Sequence, residues 1–399
     1  MLVYFAPCGM GLGHAARTLA IAKMVKTKGH EVVFSTYGDA VMFLKSQGER
    51  VLVSHEITYE EDDEGGIDLR LTIARGPGSL YRFSRQVAAE LYYMGVFKPD
   101  IIVSDSRLSS SLAALFRRIP FILISNQLVV KIPVKRKLRR GLKFLKSLAE
   151  SVLLEITMNI WSRSKLILIP DFPPPYTISR ENLAFGEEYS GKTVLIGPLI
   201  SVMPHELPPR EAIRKKIGVE NRYLIFISVS GTRGEKEKML EKIKSVLKEA
   251  NFPKEFLIIV SAGCAEKKDL VEKLAENVIL YYWIPNKFEY LKAADIFISH
   301  GGHTSLAEGM YYGIPQIMIP SLSHTERMGN SKSIEDMGLG VLLPLEEVSP
   351  RTLKKTMEEV LNNQHYYTRA QEVAEEVRKI NATARAAELI LEVANSPEF

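Results

Sequence analysis

At 399 residues, with 46% hydrophobic and 25% charged side chains, the chain has the composition of a globular protein long enough for two domains. A net charge of +5 is too mild to imply nucleic acid, and no run of about 20 apolar residues is present to cross a membrane. The two cysteines, Cys8 and Cys264, are too few for a disulfide framework or a cysteine-held zinc ion, and Met1–Ala6 meets glycines too soon for a secretory signal, so a reducing cytoplasm is expected.

Along the first half, short apolar runs at Leu2–Ala6, Glu31–Thr36, Ile101–Ser104, Phe121–Ser125, Ile167–Ile169 and Thr193–Ile196 read as buried strands. Arg17–Lys28 and Leu108–Arg118 read as helices between them. This alternation is the α/β rhythm of a doubly wound parallel sheet. The acidic run Glu60–Glu64 lacks a strand pattern around it and reads as a solvated loop. A turn-rich stretch, Gly197, Pro198, Pro204, Pro208 and Pro209, then predicts a domain boundary near residue 200. The rhythm restarts with strands at Tyr223–Ser228, Phe256–Val260, Val278–Tyr281, Ile296–Ser299 and Gln316–Ile319. Helices are predicted at Lys236–Ala250, Lys268–Glu276 and Thr304–Tyr312. The expectation is two Rossmann-like units, 1–200 and 201–375, facing one cleft, with a helical tail over 376–399.

The first strand runs into Cys8–Arg17, which opens a helix. A dinucleotide fingerprint would need a third glycine after Gly9 and Gly11, but that place is taken by His14, and the second strand ends without an acid. A nicotinamide cofactor is therefore not expected. An imidazole is suited to removing a proton near neutral pH if something orients it. Asp105, at the end of the strand after Pro99, lies on the same edge of the sheet. It could orient His14, or it could bond a neighbouring backbone N–H while His14 caps the helix or contacts phosphate.

The richest segment begins at Trp283–Asn286 and continues through His300–Glu308 to Asn330. A strand ending at Ser299 runs through a glycine turn into a helix, whose N-terminus favours phosphate. Gly301 and Gly302 allow close backbone approach, Thr304 and Ser305 offer hydroxyls, and Glu308 one turn on suits ribose hydroxyls. Trp283 offers a flat surface for a base. Ser305 to Glu308 also fits a capping box, which needs no ligand. His300, His303 and His324 lack a metal-ligand spacing, so no metal is expected.

In order, Trp283, Pro285, His300, Gly302, Ser305, Glu308 and Asn330 resemble the donor box of nucleotide-sugar glycosyltransferases of the two-Rossmann (GT-B) type. The likeness is to plant UDP-glycosyltransferases and to the lipid-linked N-acetylglucosaminyltransferase of bacterial wall synthesis. Asn286 stands where the family has Gln, and Glu326 with Arg327 replaces an acidic-Gln pair expected to touch the sugar. The resemblance implies donor contacts from Gly11, Gly13, Ser230, Gly231, Thr232, Trp283, Ile284, His300, Gly301, Gly302, His303, Thr304, Ser305, Glu308, Glu326, Arg327 and Asn330. It implies His14 as base with Asp105, and a last helix that crosses back to the first unit. A glycosyltransferase using a UDP-sugar, inverting and without metal or cofactor, is the function implied. A UDP-sugar epimerase and a non-catalytic nucleotide-sugar sensor are the alternatives.

Lys131 to Lys146 carries eight basic residues and no acid, and Leu142, Leu145, Leu148, Val152 and Ile156 recur at helical spacing. Such a stretch suits an anionic membrane surface, or the solvated face of a helix that packs its leucines inward. A membrane role for 131–156 would fit a lipid-linked glycan acceptor; a small-molecule acceptor would not need it. No aromatic residues interleave the basic ones, so nucleic acid is not expected as a partner.

Overall fold

The computed structural model describes residues 1–399 except 10–11, 56–59, 62–66, 69–76, 126–154, 184–188, 190, 232, 265–266 and 397–399. Gly11, Thr232 and most of the basic stretch 131–156 thus lie outside the described residues.

The first sheet uses β1 (Leu2–Pro7), β2 (Glu31–Thr36), β3 (Val51–Val53), and, after a separate two-stranded ladder of β4 (Glu60–Glu61) and β5 (Ile67–Asp68), also β6 (Ile101–Asp105), β7 (Phe121–Ile124), β8 (Leu166–Ile169) and β9 (Thr193–Leu195). Its order is β3-β2-β1-β6-β7-β8-β9, with every pairing parallel. The second sheet uses β10 (Tyr223–Ser228), β11 (Phe256–Ser261), β12 (Val271–Ala275), β13 (Val278–Tyr281), β14 (Ile296–Ser299), β15 (Gln316–Met318) and β16 (Gly340–Leu342). Its order is β12-β13-β11-β10-β14-β15-β16.

Successive side chains on a strand point to opposite faces, so a sheet covered on both sides needs apolar residues at every position. In β1, Val3 and Phe5 enter one core while Tyr4 and Ala6 enter another on the far face. In β10, Leu224 and Phe226 face one core and Ile225 and Ile227 the other. The sheet order reverses between β1 and β6 in the first unit and between β10 and β14 in the second. Such switch points leave a crevice at the strands' carboxyl ends. Pro7 pairs with Asp105 across the first, and Ser228 with Ser299 across the second.

Three local expectations change. Where a helix is predicted over Lys268–Glu276, Val271–Ala275 forms β12, antiparallel to β13. The side chain of Asn277 pins the connecting turn by donating to the carbonyls of Pro253 and Phe256, and Glu272 pairs with Lys244 on the covering helix. An open sheet edge thus outweighs the helix-forming composition. Glu60–Glu61 belongs to β4, not to a loop. The first helix spans Gly13–Thr27, starting four residues before Arg17, so His14 and Arg17 share its first turns.

The two units exchange segments. Phe172 and Ile178, just past β8, lie in a core of the second unit, where the Phe172 ring packs on Tyr311. In return the last helix, Ala382–Asn395, sends Ala386, Ala387 and Ile390 into the core of the first sheet beside the Gly13–Thr27 helix. Among the described residues no helix is long and apolar enough to cross a membrane.

Candidate active site

Both switch points carry polar clusters. At the first, the structure brings His14 and Asp105 together: His14 Nδ1 lies 2.8 Å from Asp105 Oδ1. The imidazole keeps 30% of its surface exposed, whereas Asp105 has none. Arg17, one helical turn after His14, grips the same carboxylate with a fork: Nε donates to Oδ2 at 2.6 Å and Nη2 donates to Oδ1. Burial alone would raise the Asp105 pKa, but the positive charge of Arg17, with help from His14, outweighs it and holds the carboxyl down at about 2. Arg17 is the functional candidate that the sequence pattern does not single out. Its signal is the i, i+3 spacing from His14, visible only once the helix is known to begin at Gly13.

At the second switch point, Gly301 adopts φ +79°, and a Cβ there would stand 2.2 Å from Ser331 Oγ and 3.0 Å from the Arg327 carbonyl, so the turn admits only glycine. The helix His303–Tyr312 comes next, with Gly302 as N-cap and no side chain capping its first turn. The capping-box reading therefore fails. Ser305 lies inside the helix, and Glu308, buried, points both carboxylate oxygens at Lys287 Nζ, each at 2.8 Å. Lys287 opens the helix just after Trp283–Asn286.

His300 is buried, with Nδ1 3.0 Å from Arg327 Nη1. A guanidinium has no acceptor, so His300 accepts through Nδ1 and carries its proton on Nε2. His303 is also buried, with Nε2 3.2 Å from Asp171 Oδ1 in a close contact that is not aligned as a hydrogen bond. Burial would raise the Asp171 pKa; His303 and the bonds from Ser179 instead lower it to about 2. Asp171 sits just past β8 at the carboxyl edge of the first sheet, so this contact sets the two carboxyl edges face to face.

Of the other expected contacts, Gly13 starts the first helix, Thr304 and Gly231 are exposed, and Ser230, Trp283, Glu326 and Arg327 are half-buried. Ile284 places its side chain in the core. Asn330 is wholly buried with neither end of its amide hydrogen-bonded. Among the described residues no three His, Cys, Asp or Glu side chains group as a metal site requires.

Residues 225–389 match the Glycosyltransferase family 28 C-terminal domain, and residues 1–153 match Glycosyl transferase family 1. The chain is 28% identical over 364 residues to an uncharacterized glycosyltransferase of Methanosarcina mazei, covering 90% of this chain and 89% of that one. It is 24% identical over 387 residues to an NDP-glycosyltransferase of Bacillus subtilis, covering 94% and 93%. The glycotransferase of kitacinnamycin superposes over 98% of both chains, with TM-score 0.68 at 17% identity. A Streptomyces glycosyltransferase complexed with thymidine diphosphate superposes over 98% of this chain and 99% of its own, with TM-score 0.61 at 18% identity.

Two parallel-dominated sheets with facing carboxyl edges, and these relatives, define an enzyme of the GT-B class. The chain is a glycosyltransferase, its second half carrying the family 28 C-terminal match.

Proposed function

We propose that the chain transfers a sugar from a nucleoside diphosphate sugar, with uridine as the nucleoside, to an acceptor hydroxyl with inversion at the anomeric carbon. The observation that carries this reading is the His14–Asp105 pair at one switch point, opposite an uncapped helix N-terminus at the other. His14 Nε2 takes the proton of the acceptor hydroxyl as its oxygen attacks the anomeric carbon, and Asp105 stabilises the imidazolium that results. The bond from that carbon to the diphosphate breaks in the same displacement, which inverts the centre. The departing charge falls on the first turn of the His303–Tyr312 helix, near His300. The resemblance adds Ser230, Gly231 and Thr232 as further diphosphate contacts. Trp283 stacks on the base and Glu308 holds ribose hydroxyls.

A nucleoside diphosphate accords with the name of the Bacillus subtilis relative and with the thymidine diphosphate in the Streptomyces structure. Uridine is supported by the resemblance of the Trp283–Asn330 box. The acceptor is a small hydroxylated molecule or a lipid-linked glycan, and the transfer runs without a metal ion. The test is incubation with UDP-, dTDP- and GDP-sugars and an acceptor panel, with and without EDTA, following nucleotide release and product configuration by NMR. Release of UDP, unaffected by EDTA and giving the opposite anomer, is expected. Turnover confined to another nucleotide, a retained anomer, or an epimerised donor without acceptor would refute the proposal.

A further inference from the structure

We infer that Arg17 is a positioning residue that holds and neutralises Asp105, so that Asp105 fixes the tautomer of His14 while its pull on a second proton is offset. The inference rests on the reading of His14 as the base.

Nδ1 of His14 sits between two partners with opposite demands. Asp105 Oδ1 is 2.8 Å away and, as an ionised carboxylate, can only accept; Arg17 Nη2 is 3.1 Å away and can only donate. Both contacts cannot be hydrogen bonds at once. If the proton sat on Nε2, a lone pair on Nδ1 would face a buried carboxylate oxygen at hydrogen-bond distance. With the proton on Nδ1, His14 donates to Asp105, and Arg17 already has both carboxylate oxygens for its own N–H groups. The second arrangement wins, because Arg17 gives up one contact but keeps its bonds to both oxygens of Asp105, whereas a lone pair on Nδ1 would stay pressed against a buried carboxylate oxygen. It leaves the Nε2 lone pair free for an acceptor proton.

The fork does more than orient. A lone carboxylate beside an imidazole favours the imidazolium, which cannot act as a base. Arg17 offsets that charge from 3.1 Å, against 2.8 Å for Asp105. The Arg–Asp–His cluster is then neutral at rest and singly positive after proton capture, so its positive state arises only as the acceptor oxygen attacks. Arg17 from its own helix and Asp105 from β6 are charged groups in contact with the imidazole. The hydroxyl of Thr18 is spent on the His14 carbonyl and does not compete. Lysine in place of Arg17 would supply charge without a fork, and glutamine would supply neither.

The test is NMR of protein labelled with nitrogen-15 in its histidines, with the His14 signals assigned by their loss in His14→Gln. No substrate is needed. The unaltered protein should show the Nδ1–H tautomer. In Arg17→Gln the His14 titration midpoint should rise by about one unit or more, equivalent to about tenfold tighter proton binding. In Asp105→Asn, which keeps the shape and leaves the guanidinium unopposed, it should fall. Should Arg17→Gln not fold, Asp105→Asn and Arg17→Lys still decide, the latter keeping its midpoint near that of the unaltered protein. An Nε2–H tautomer, or midpoints that do not move in opposite directions in the Gln and Asn variants, would overturn the inference. The base reading fails separately: His14→Ala would then transfer sugar at a normal rate, whatever the NMR shows.

Discussion

The ribose role proposed for Glu308 requires an aimed carboxylate, and Lys287 binds both of its oxygens at 2.8 Å. Glu308→Ala should weaken UDP binding by about 1.5–3 kcal/mol, the worth of a hydrogen bond to a charged group. Calorimetric titration checks it, and an unchanged affinity would remove Glu308 from the site. Arg327 is placed differently from what its substitution for a family Gln suggests. Its guanidinium engages His300, beside the expected diphosphate, as well as lying near the expected sugar. Arg327→Gln should therefore raise the KM for every nucleotide sugar, and reorder acidic and N-acetylated sugars against plain hexoses in a competition assay. An unchanged KM and ranking would leave Arg327 without a donor role. His14→Ala should lower transfer by about 10²–10⁴-fold with little change in donor affinity, which single-turnover kinetics would separate. At this scale His14 and Asp105 are legible because strand ends and glycine turns advertise themselves in sequence. Lys287 against Glu308 and Asp171 against His303 are not, since each pair joins residues brought together only by tertiary packing.

Elements behave similarly, with a different physical cause. Buried parallel strands announce themselves as unbroken apolar runs, and β1, β2, β6, β7, β10, β11 and β14 lie where those runs fall. β12 does not, because Lys268–Glu276 alternates charged and apolar residues in a way that suits a helix; only the vacant edge beside β13 decides it. The Gly13–Thr27 helix begins earlier than the pattern predicts. Gly13 and His14 are weak helix formers, yet His14 is anchored to Asp105 by a contact that sequence does not display. The turn before the His303–Tyr312 helix offers the sharpest test at this scale. Gly301→Ala must place a Cβ against Ser331 and the Arg327 carbonyl at positive φ, costing about 1–3 kcal/mol. The melting temperature should fall, and UDP affinity should fall with it because the helix N-terminus shifts. A variant with both values unchanged would mean that the turn is not held as tightly as its packing indicates.

Across the whole molecule, two buried carboxylates make the fold sensitive to acid. Asp105 and Asp171 both have folded-state pKa values of about 2, below the ordinary carboxylate value of 3.8. A depressed pKa contributes stability that is fully present above the unfolded value and is lost as pH falls toward the folded one. Each should contribute about 2 kcal/mol above pH ~4, lost between pH ~4 and ~2. Denaturant titrations across that window should show the loss, and Asp171→Asn should flatten it by about half. A variant as acid-sensitive as the parent would assign the slope to other groups. Because Asp171 meets His303 across the two units, the same substitution should also loosen their relative placement, read as faster hydrogen exchange near both residues.

The return of the last helix has a consequence for how the chain is made. Ala386, Ala387 and Ile390 complete the core that Val3, Phe5, Ala15 and Leu19 begin, so residues made before the second unit wait for residues made after it. Domains ordinarily finish folding in order as they leave the ribosome. Here the first unit should stay unfinished, with an open apolar groove along its first helix, while the whole second unit is translated. Nascent chains stalled just short of Ala382 should thus be cleaved by protease within the first unit, and released full-length chains should not. Protection of the stalled chain would show that the first unit closes without its last helix. If the groove does stay open, the helix that carries His14 gains its packing partner only after the second unit has been made, and its maturation depends on a segment from the far side of that unit.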